Sequence, residues 1–221
     1  MTDKNLQKIG GLSAILEAII YISAFVVYGG VLEFPNADAS PTERYNFLSE
    51  NYSILSLLNL TSYVLFGILL AVLVLAIYQR QKEYATNVSR LSSIFGYLWV
   101  GLVIASGMIA NIGLEEVIQM GADSPEKAMQ IWSSISIVTE GLGGGNEVVG
   151  GLWVLLLSLG TWRYRVFPKA LNYLGLVVGF AGILTIYPLD LFKEIFGLSQ
   201  IVWFLWIGSF MIQNPEVSET N

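Results

Sequence analysis

The segment from Ser53 to Tyr78 reads SILSLLNLTSYVLFGILLAVLVLAIY and is followed at 79–82 by QRQK. Its 26 residues carry no charge, and roughly 20 apolar residues in a helix are enough to cross the hydrocarbon core of a bilayer. Because hydrocarbon offers the backbone no water, each N–H and C=O group must find a partner within the segment, as it does in a helix. The segment therefore predicts a membrane-spanning helix.

Five further apolar blocks of similar character follow or precede this one. The 221-residue chain is 54% hydrophobic and 13% charged, and that charged fraction is about half of what a soluble domain carries. We predict an all-α polytopic membrane protein with about six transmembrane helices in three hairpins, forming a single domain over residues 1–221. The predicted spans are 9–32, 53–78, 91–114, 147–162, 170–187 and 195–212.

Basic residues are concentrated at alternate ends of these blocks. One side holds Lys4, Lys8, Arg80, Lys82, Arg90, Arg163, Arg165 and Lys169, whereas the other holds only Arg44, Lys127 and Lys193. Since loops rich in lysine and arginine stay in the cytoplasm, we expect a multi-pass protein of the cell membrane with both termini cytoplasmic. The opposite side is acidic, with Glu33, Asp38, Glu43, Glu50, Glu115, Glu116, Asp123, Glu126, Asp190 and Glu194.

Two outer connections carry helix-start signals. Ser40-Pro41-Thr42-Glu43 combines a capping serine, a first-turn proline and a capping-box glutamate. Ser124-Pro125-Glu126 opens the second segment in nearly the same way. The apolar residues after Pro125 recur at helical spacing, which predicts an amphipathic surface helix from Pro125 to Glu140, parallel to the membrane plane and lying on the outer leaflet or over the bundle.

Composition excludes several classes of site. The chain has neither cysteine nor histidine, so it cannot form disulfides, thiolate nucleophiles, Cys/His zinc sites, iron–sulfur ligation or the usual histidine-ligated haem. We predict no cofactor and no metal site. Acid–base chemistry would fall to carboxylates or tyrosines. The net charge of −6 is not that of a nucleic-acid-binding protein, which needs a basic face.

Glu17 is the first candidate for a functional residue. It follows Lys8 by nine residues, which places it roughly 13 Å into the membrane at about 1.5 Å per residue. Ionisable residues at such depth often mark a path for protons, ions or ligands. The structural alternative is a neutral glutamate that is hydrogen-bonded to a neighbouring serine, asparagine or tyrosine for packing.

The run Glu140-Gly141-Leu142-Gly143-Gly144-Gly145-Asn146-Glu147 is the second candidate. Glycines at this density let the backbone leave helical geometry, and broken helices at membrane depth coordinate substrates or ions in transporters. In the simpler interpretation the glycines form a turn, Asn146 caps the next helix and Glu147 favours its positive end.

Further polar residues lie in the outer thirds of the predicted spans. Asn59, Asn111 and Gln200 could line a polar pocket together with Asn146 and Glu147, or could simply hydrogen-bond one helix to another. Small residues spaced four apart favour close helix packing, as in the pairs Gly67 and Ala71, Gly101 and Ala105, and Gly175 and Gly179.

Several segments together resemble the bacterial membrane family catalogued as domain of unknown function 4386. They are Gly10-Gly11, the stretch from Asp38-Ala39 to Glu50, Tyr78-Gln79-Arg80, Phe167 to Gly175 and Trp203 to Gly208. The resemblance implies an integral membrane fold and no particular activity or functional residue. The glycine run and Glu147 depart from the family pattern.

Three functions are compatible with these observations. The first is binding of a lipid-like or small amphiphilic ligand, or of a membrane partner subunit or second copy, within the bundle. The second is a proton- or cation-coupled transporter or channel that uses Glu17 and Glu147. The third is an intramembrane enzyme with paired carboxylates, which the missing catalytic constellation disfavours. Membrane lipids are the expected surroundings, and no nucleic-acid partner is expected.

The topology can be tested by cysteine labelling, since the native chain has no cysteine. Cysteines introduced at Ala39 and Asp123 should react with an impermeant thiol reagent added outside cells, and cysteines at Gln81 and Ala170 should not. External labelling at Gln81 or Ala170 would reverse the assigned orientation.

Overall fold

The computed structural model describes residues 3–84, 86–144, 147–187 and 189–216. This part of the chain contains helices and no strand, which confirms the all-α class. Its α-helices are α1 (Asp3–Gly30), α2 (Pro41–Glu50), α3 (Tyr52–Asn59), α4 (Phe66–Gln81), α5 (Thr86–Gly121), α6 (Pro125–Thr139), α7 (Val148–Trp162), α8 (Lys169–Leu184) and α9 (Asp190–Gln213). Two π-helical turns accompany them, Leu60–Leu65 between α3 and α4 and Glu140–Gly144 after α6.

Five stretches of the described chain are long and apolar enough to cross a membrane. They are Asp3–Gly30, Tyr52–Gln81, Asn87–Gly121, Pro125–Trp162 and Asp190–Gln213. The span predicted at 170–187 corresponds to α8, which is apolar but has only 16 residues. The chain is thus a polytopic membrane protein, and the count of six spans stays a prediction.

The amphipathic helix predicted after Pro125 is present as α6, and α5 of the bundle covers its apolar stripe. The hydroxyl of Ser106 donates to the carbonyl of Thr139 at 3.1 Å, and Gly113 packs against Ile135. These contacts place α6 lengthwise and antiparallel along the outer half of α5. The reason is that α5 continues to Gly121, well beyond its predicted end at 114, and offers the apolar stripe of α6 a helix surface to cover.

The fourth stretch is a discontinuous helix. Below the break, α7 packs antiparallel on the same α5, because Gly150 lies against the Trp99 ring and the Ser92 hydroxyl donates to the Trp153 carbonyl at 3.3 Å. Both halves of the broken helix, α6 and α7, therefore pack one after the other along α5. They do not form a hairpin with each other.

The helix start at Ser40 is confirmed in detail. The backbone N–H of Ser40 donates to Glu43 Oε2 at 2.7 Å, and the N–H of Glu43 donates to Ser40 Oγ at 3.3 Å, which forms a capping box. Hydrogen bonds from the hydroxyl and the N–H of Ser40 lower the pKa of the Glu43 carboxyl. Ser124 occupies the corresponding position before α6 but makes no side-chain capping bond.

Three tryptophans form the centre of the bundle. The ring centroids of Trp99, Trp153 and Trp203 follow one another at 5.7 Å, and each side chain is 1% exposed. They come from α5, α7 and α9, so one aromatic row ties together three helices that are distant in sequence. These tryptophans therefore fill the bundle and do not anchor it at the membrane surface.

Close backbone contacts join neighbouring helices at glycines. A Cβ on Gly11 would lie 2.7 Å from the Gly208 carbonyl oxygen, and a Cβ on Gly208 would lie 2.6 Å from that of Gly11. In the same way Gly151 of α7 meets the backbone of Gly179 in α8. Gly101 differs, because nothing lies within 4 Å of a Cβ built on it.

Both chain ends meet the α4–α5 connection at one end of the bundle. Lys4 Nζ lies 3.3 Å from Glu216, and Gln79 donates to Asp3 at 3.2 Å. The buried Arg80 donates to Gln7 at 3.2 Å and to the Asn214 carbonyl that ends α9. Gln81 is buried as well, so Ala170, which is exposed, is the informative labelling site at this end.

The glycine contacts generate a stability prediction. Gly11→Ala should destabilise the protein by about 1–3 kcal/mol, because the new methyl group meets backbone and α1 must move away from α9. Gly101→Ala is the matched control and should be neutral or stabilising by up to about 1 kcal/mol, since alanine is the better helix former. Thermal unfolding in maltoside micelles measures both, and equal melting temperatures for the two variants would contradict the assigned contact.

Candidate functional site

The break between α6 and α7 positions Glu147 inside the bundle. Gly143 has a φ of 126°, a backbone conformation that glycine adopts readily and other residues avoid. The backbone N–H of Glu147 donates to Thr185 Oγ1 at 2.9 Å, and this threonine ends α8. The glycines therefore interrupt the helix as predicted. The hydrogen bond that Glu147 donates to α8 fixes the start of α7.

Glu147 borders a partly open cavity of about 150 Å³ in the half of the bundle away from Lys4 and Glu216. The walls come from α1, from the first π-helical turn with the start of α4, from α5, and from the break itself. The lining residues are Ile20, Tyr21, Ala24, Tyr28, Ser62, Tyr63, Phe66, Trp99, Val103, Gly143 and Glu147. Five of these eleven residues are aromatic, and Glu147 is the only one among them with a carboxylate.

Both π-helical turns of the described chain contribute to this cavity. Ser62 and Tyr63 belong to Leu60–Leu65, and Gly143 belongs to Glu140–Gly144. Tyr63 can come close to α5 because Gly107 lies beneath it, where a Cβ would approach the Tyr63 Cβ to 2.4 Å. π-Helical turns are rare and occur frequently at functional sites.

Two polar atoms of the cavity have no hydrogen-bond partner within the described protein. Glu147 Oε2 and Trp99 Nε1 are buried and lack a hydrogen-bond partner there. The indole N–H of Trp99 comes close to the Glu147 carboxylate without reaching hydrogen-bond geometry. Glu147 occupies the N-cap position of α7, yet its side chain makes no capping bond. The Glu147 carboxylate was expected to favour the positive end of α7, and it does not do so through a capping hydrogen bond.

The aromatic wall is braced by ring-to-ring contacts. Phe66 meets Tyr21 at 5.5 Å and Trp99 at 5.8 Å, both edge to face. Trp99 in turn contacts Trp153 of the central row. The rings are held by packing on three elements, so the wall is formed before any ligand arrives.

Glu17 lies outside the cavity, one helical turn along α1 from Tyr21. It is fully buried, and neither carboxylate oxygen has a hydrogen-bond partner among the described residues. The hydrogen bond expected from a packing role is therefore not present there. Tyr21 follows Glu17 by one turn of α1 and lines the cavity together with Glu147. It is therefore near both of the carboxylates that the sequence singled out.

The other predicted site residues do not gather at the cavity. Asn111 accepts a hydrogen bond from Ser56 at 2.8 Å, and Asn59 is buried at the end of α3. Gln200 is buried in α9 with both side-chain amide atoms unpartnered in the described part. Glu140 pairs with Lys193 at 2.6 Å at the outer surface. Asn146 lies outside the described residues.

Tyr21, Tyr63 and Trp99 are the cavity residues that sequence patterns missed. Aromatic residues are common in every apolar block of this chain, so their type carries no signal. The only available clue was the spacing of four between Glu17 and Tyr21, which places both on one face of α1.

Among the described residues there is no group of three or more metal-ligating side chains, and one carboxylate alone does not make a metal site.

A family model described as a domain of unknown function (DUF4386) matches residues 9–212. No curated protein and no solved structure matches the chain.

Proposed function

The chain belongs to the DUF4386 family of unknown function, and we propose that it is a membrane protein that binds a small amphiphilic, lipid-like ligand in the Glu147 cavity. The observation that supports this most is that both π-helical turns meet at one cavity. Apolar walls with a few converging polar groups are the usual composition of a small-molecule site. The broken helix supplies the polar group without exposing it to lipid.

Cavity size limits the ligand. Engineered apolar cavities of about 150 Å³ bind benzene, and the Glu147 cavity has a similar volume. It therefore accommodates one ring or one head group, while a longer apolar portion would extend toward the surrounding lipid. Many large apolar side chains face outward, among them Phe180 and Leu198, and they suit contact with lipid tails.

The proposed topology has six spans with both termini in the cytoplasm of the cell. In its favour, Lys4, Glu216 and the α4–α5 connection lie at one end of the bundle, together with the basic residues. The cavity lies toward the opposite, acidic end, which places its opening on the outer side. An association with a second copy or a partner subunit is compatible with this arrangement.

Filling the cavity should abolish binding. Ala24 lines it, and Ala24→Phe should remove the binding of benzyl alcohol, 3,3-dimethyl-1-butanol or choline, measured by isothermal titration calorimetry in maltoside micelles. Ser23→Phe adds the same side chain on the exposed face of α1 and should leave binding unchanged. Binding of none of the three compounds, or binding that persists in Ala24→Phe, would contradict the proposed site.

Proton- or cation-coupled transport is the second candidate. Glu17 is buried without a hydrogen-bond partner in the described residues, and Tyr21, one turn further along α1, lines the cavity together with Glu147. Ionising a carboxylate at such depth is costly unless water or a cation reaches it. A path from the acidic outer side through the cavity would therefore continue along Tyr21 to Glu17.

The Glu17→Gln variant separates transport from packing. In the transport case, the parent protein should show a melting temperature that depends on pH between about 5 and 9 or on sodium, and the variant should lose that dependence because it cannot titrate. Melting curves in detergent, with sodium and with a large organic cation in its place, measure this. Superimposable curves for parent and variant would exclude a transport role for Glu17.

A further inference from the structure

We infer that the ligand of the Glu147 cavity carries a quaternary ammonium group, either as a free cation or as the head group of a lipid. The inference rests on the proposed function and names its ligand class. It follows from three features of the cavity: its aromatic wall, its single carboxylate and its acidic surroundings.

The wall presents five aromatic rings. Tyr21 and Tyr28 come from α1, Tyr63 and Phe66 from the first π-helical turn and the start of α4, and Trp99 from α5. The negative faces of aromatic rings attract cations, and aromatic cages recognise quaternary ammonium groups in this way. Tryptophan and tyrosine are the more effective rings, and four of the five rings here are of these types.

The carboxylate of Glu147 supplies the opposite charge. No lysine or arginine lines the cavity, and neither ion pair of the described chain includes Glu147. Glu147 is half-buried and its oxygen Oε2 is enclosed without a hydrogen-bond partner in the described chain, so the carboxylate carries a desolvation penalty. A cationic ligand removes part of this penalty, whereas an anionic ligand would increase it.

The scarcity of hydrogen-bond acceptors favours a methylated ammonium over a primary one. A primary ammonium brings three N–H donors into a site, and this wall offers them one carboxylate, the Ser62 hydroxyl and the tyrosine hydroxyls. A quaternary ammonium has no N–H donor, so it needs only rings and charge. Its rounded apolar surface also matches a cavity that holds about one benzene-sized group.

The outer end of the bundle would concentrate such a cation. Ten carboxylates and three basic side chains are assigned to that side, and clustered charge of one sign raises the local concentration of the opposite charge. Tyr28 is 38% exposed, so one ring of the cage reaches the surface and marks the side from which a ligand enters.

Choline and 3,3-dimethyl-1-butanol provide the decisive comparison, because they share shape and differ in charge. Isothermal titration calorimetry of the full chain in maltoside micelles should show choline binding at least about tenfold more tightly, since a carboxylate and several rings act on its charge. Equal affinities would overturn the inference and leave the proposed function standing. Binding of neither compound would overturn the inference for a free cation, and the proposed function would fall only if benzyl alcohol did not bind either.

Two variants assign the effect to the cavity. Glu147→Gln should reduce the preference for choline, while Glu116→Gln, which removes an exposed carboxylate of α5, should retain it. Tyr28→Leu should weaken choline binding about fivefold and Tyr28→Phe should not, because only the first removes a ring. If Glu147→Gln does not fold, the Tyr28 pair still tests the aromatic cage, and equal choline affinity in both Tyr28 variants would overturn it.

The source of the ammonium group is resolved by lipid analogues. Monomeric dihexanoylphosphatidylcholine that binds more tightly than choline, with dihexanoylphosphatidylglycerol inactive, would support a lipid head group. Tighter binding of choline itself would support a free cation. Equal binding of the two phospholipids, together with no binding of choline, would overturn the inference.

Discussion

A backbone N–H or C=O group that lacks a hydrogen-bond partner in hydrocarbon costs several kcal/mol, and this constraint governs the architecture of the chain. It makes every long apolar block helical, as α1 and α5 show over 28 and 36 residues. It also restricts where a helix can stop at membrane depth. The interruption near Gly143 lies among neighbouring helices, and Thr185 of α8 accepts a hydrogen bond from the N–H of Glu147.

Packing between the helices must work without a hydrophobic force, since lipid tails are as apolar as the side chains. The chain uses close contact instead. Gly11 and Gly208 bring α1 and α9 together at the backbone, and Gly151 does the same for α7 and α8. Between these contacts the row of Trp99, Trp153 and Trp203 fills the widest part of the bundle. The aromatic wall of the cavity is an extension of this row, which explains why it is rigid.

The charged side chains inside the two ends of the bundle differ in their hydrogen-bond partners. At the basic end, Arg80 is buried yet satisfied, because it donates to the carbonyl that ends α9 and lies over the rings of Phe167 and Phe210. In the other half of the bundle Glu147 is half-buried, and its enclosed oxygen Oε2 is unpartnered in the described chain. The charged group of Arg80 thus has hydrogen-bond partners, whereas the enclosed oxygen of Glu147 in the cavity has none in the described chain. This contrast is what makes Glu147 a candidate for binding and Arg80 a residue of the scaffold.

The sequence by itself determined the helical class, most of the apolar blocks, the capping box at Ser40 and the helix break at the glycine run, because each depends on local composition or on spacing within one segment. It did not determine how helices face one another. Gly101 and Gly175 stand in the same spacing pattern, but only Gly175 meets a neighbouring helix. Likewise the apolar stripe of α6 suited either the membrane surface or the bundle, and only the extension of α5 to Gly121 shows where it is covered. Tyr21, Tyr63 and Trp99 lie far apart in the chain and line one cavity through the packing of α1, the first π-helical turn and α5, which has no signature in any single segment.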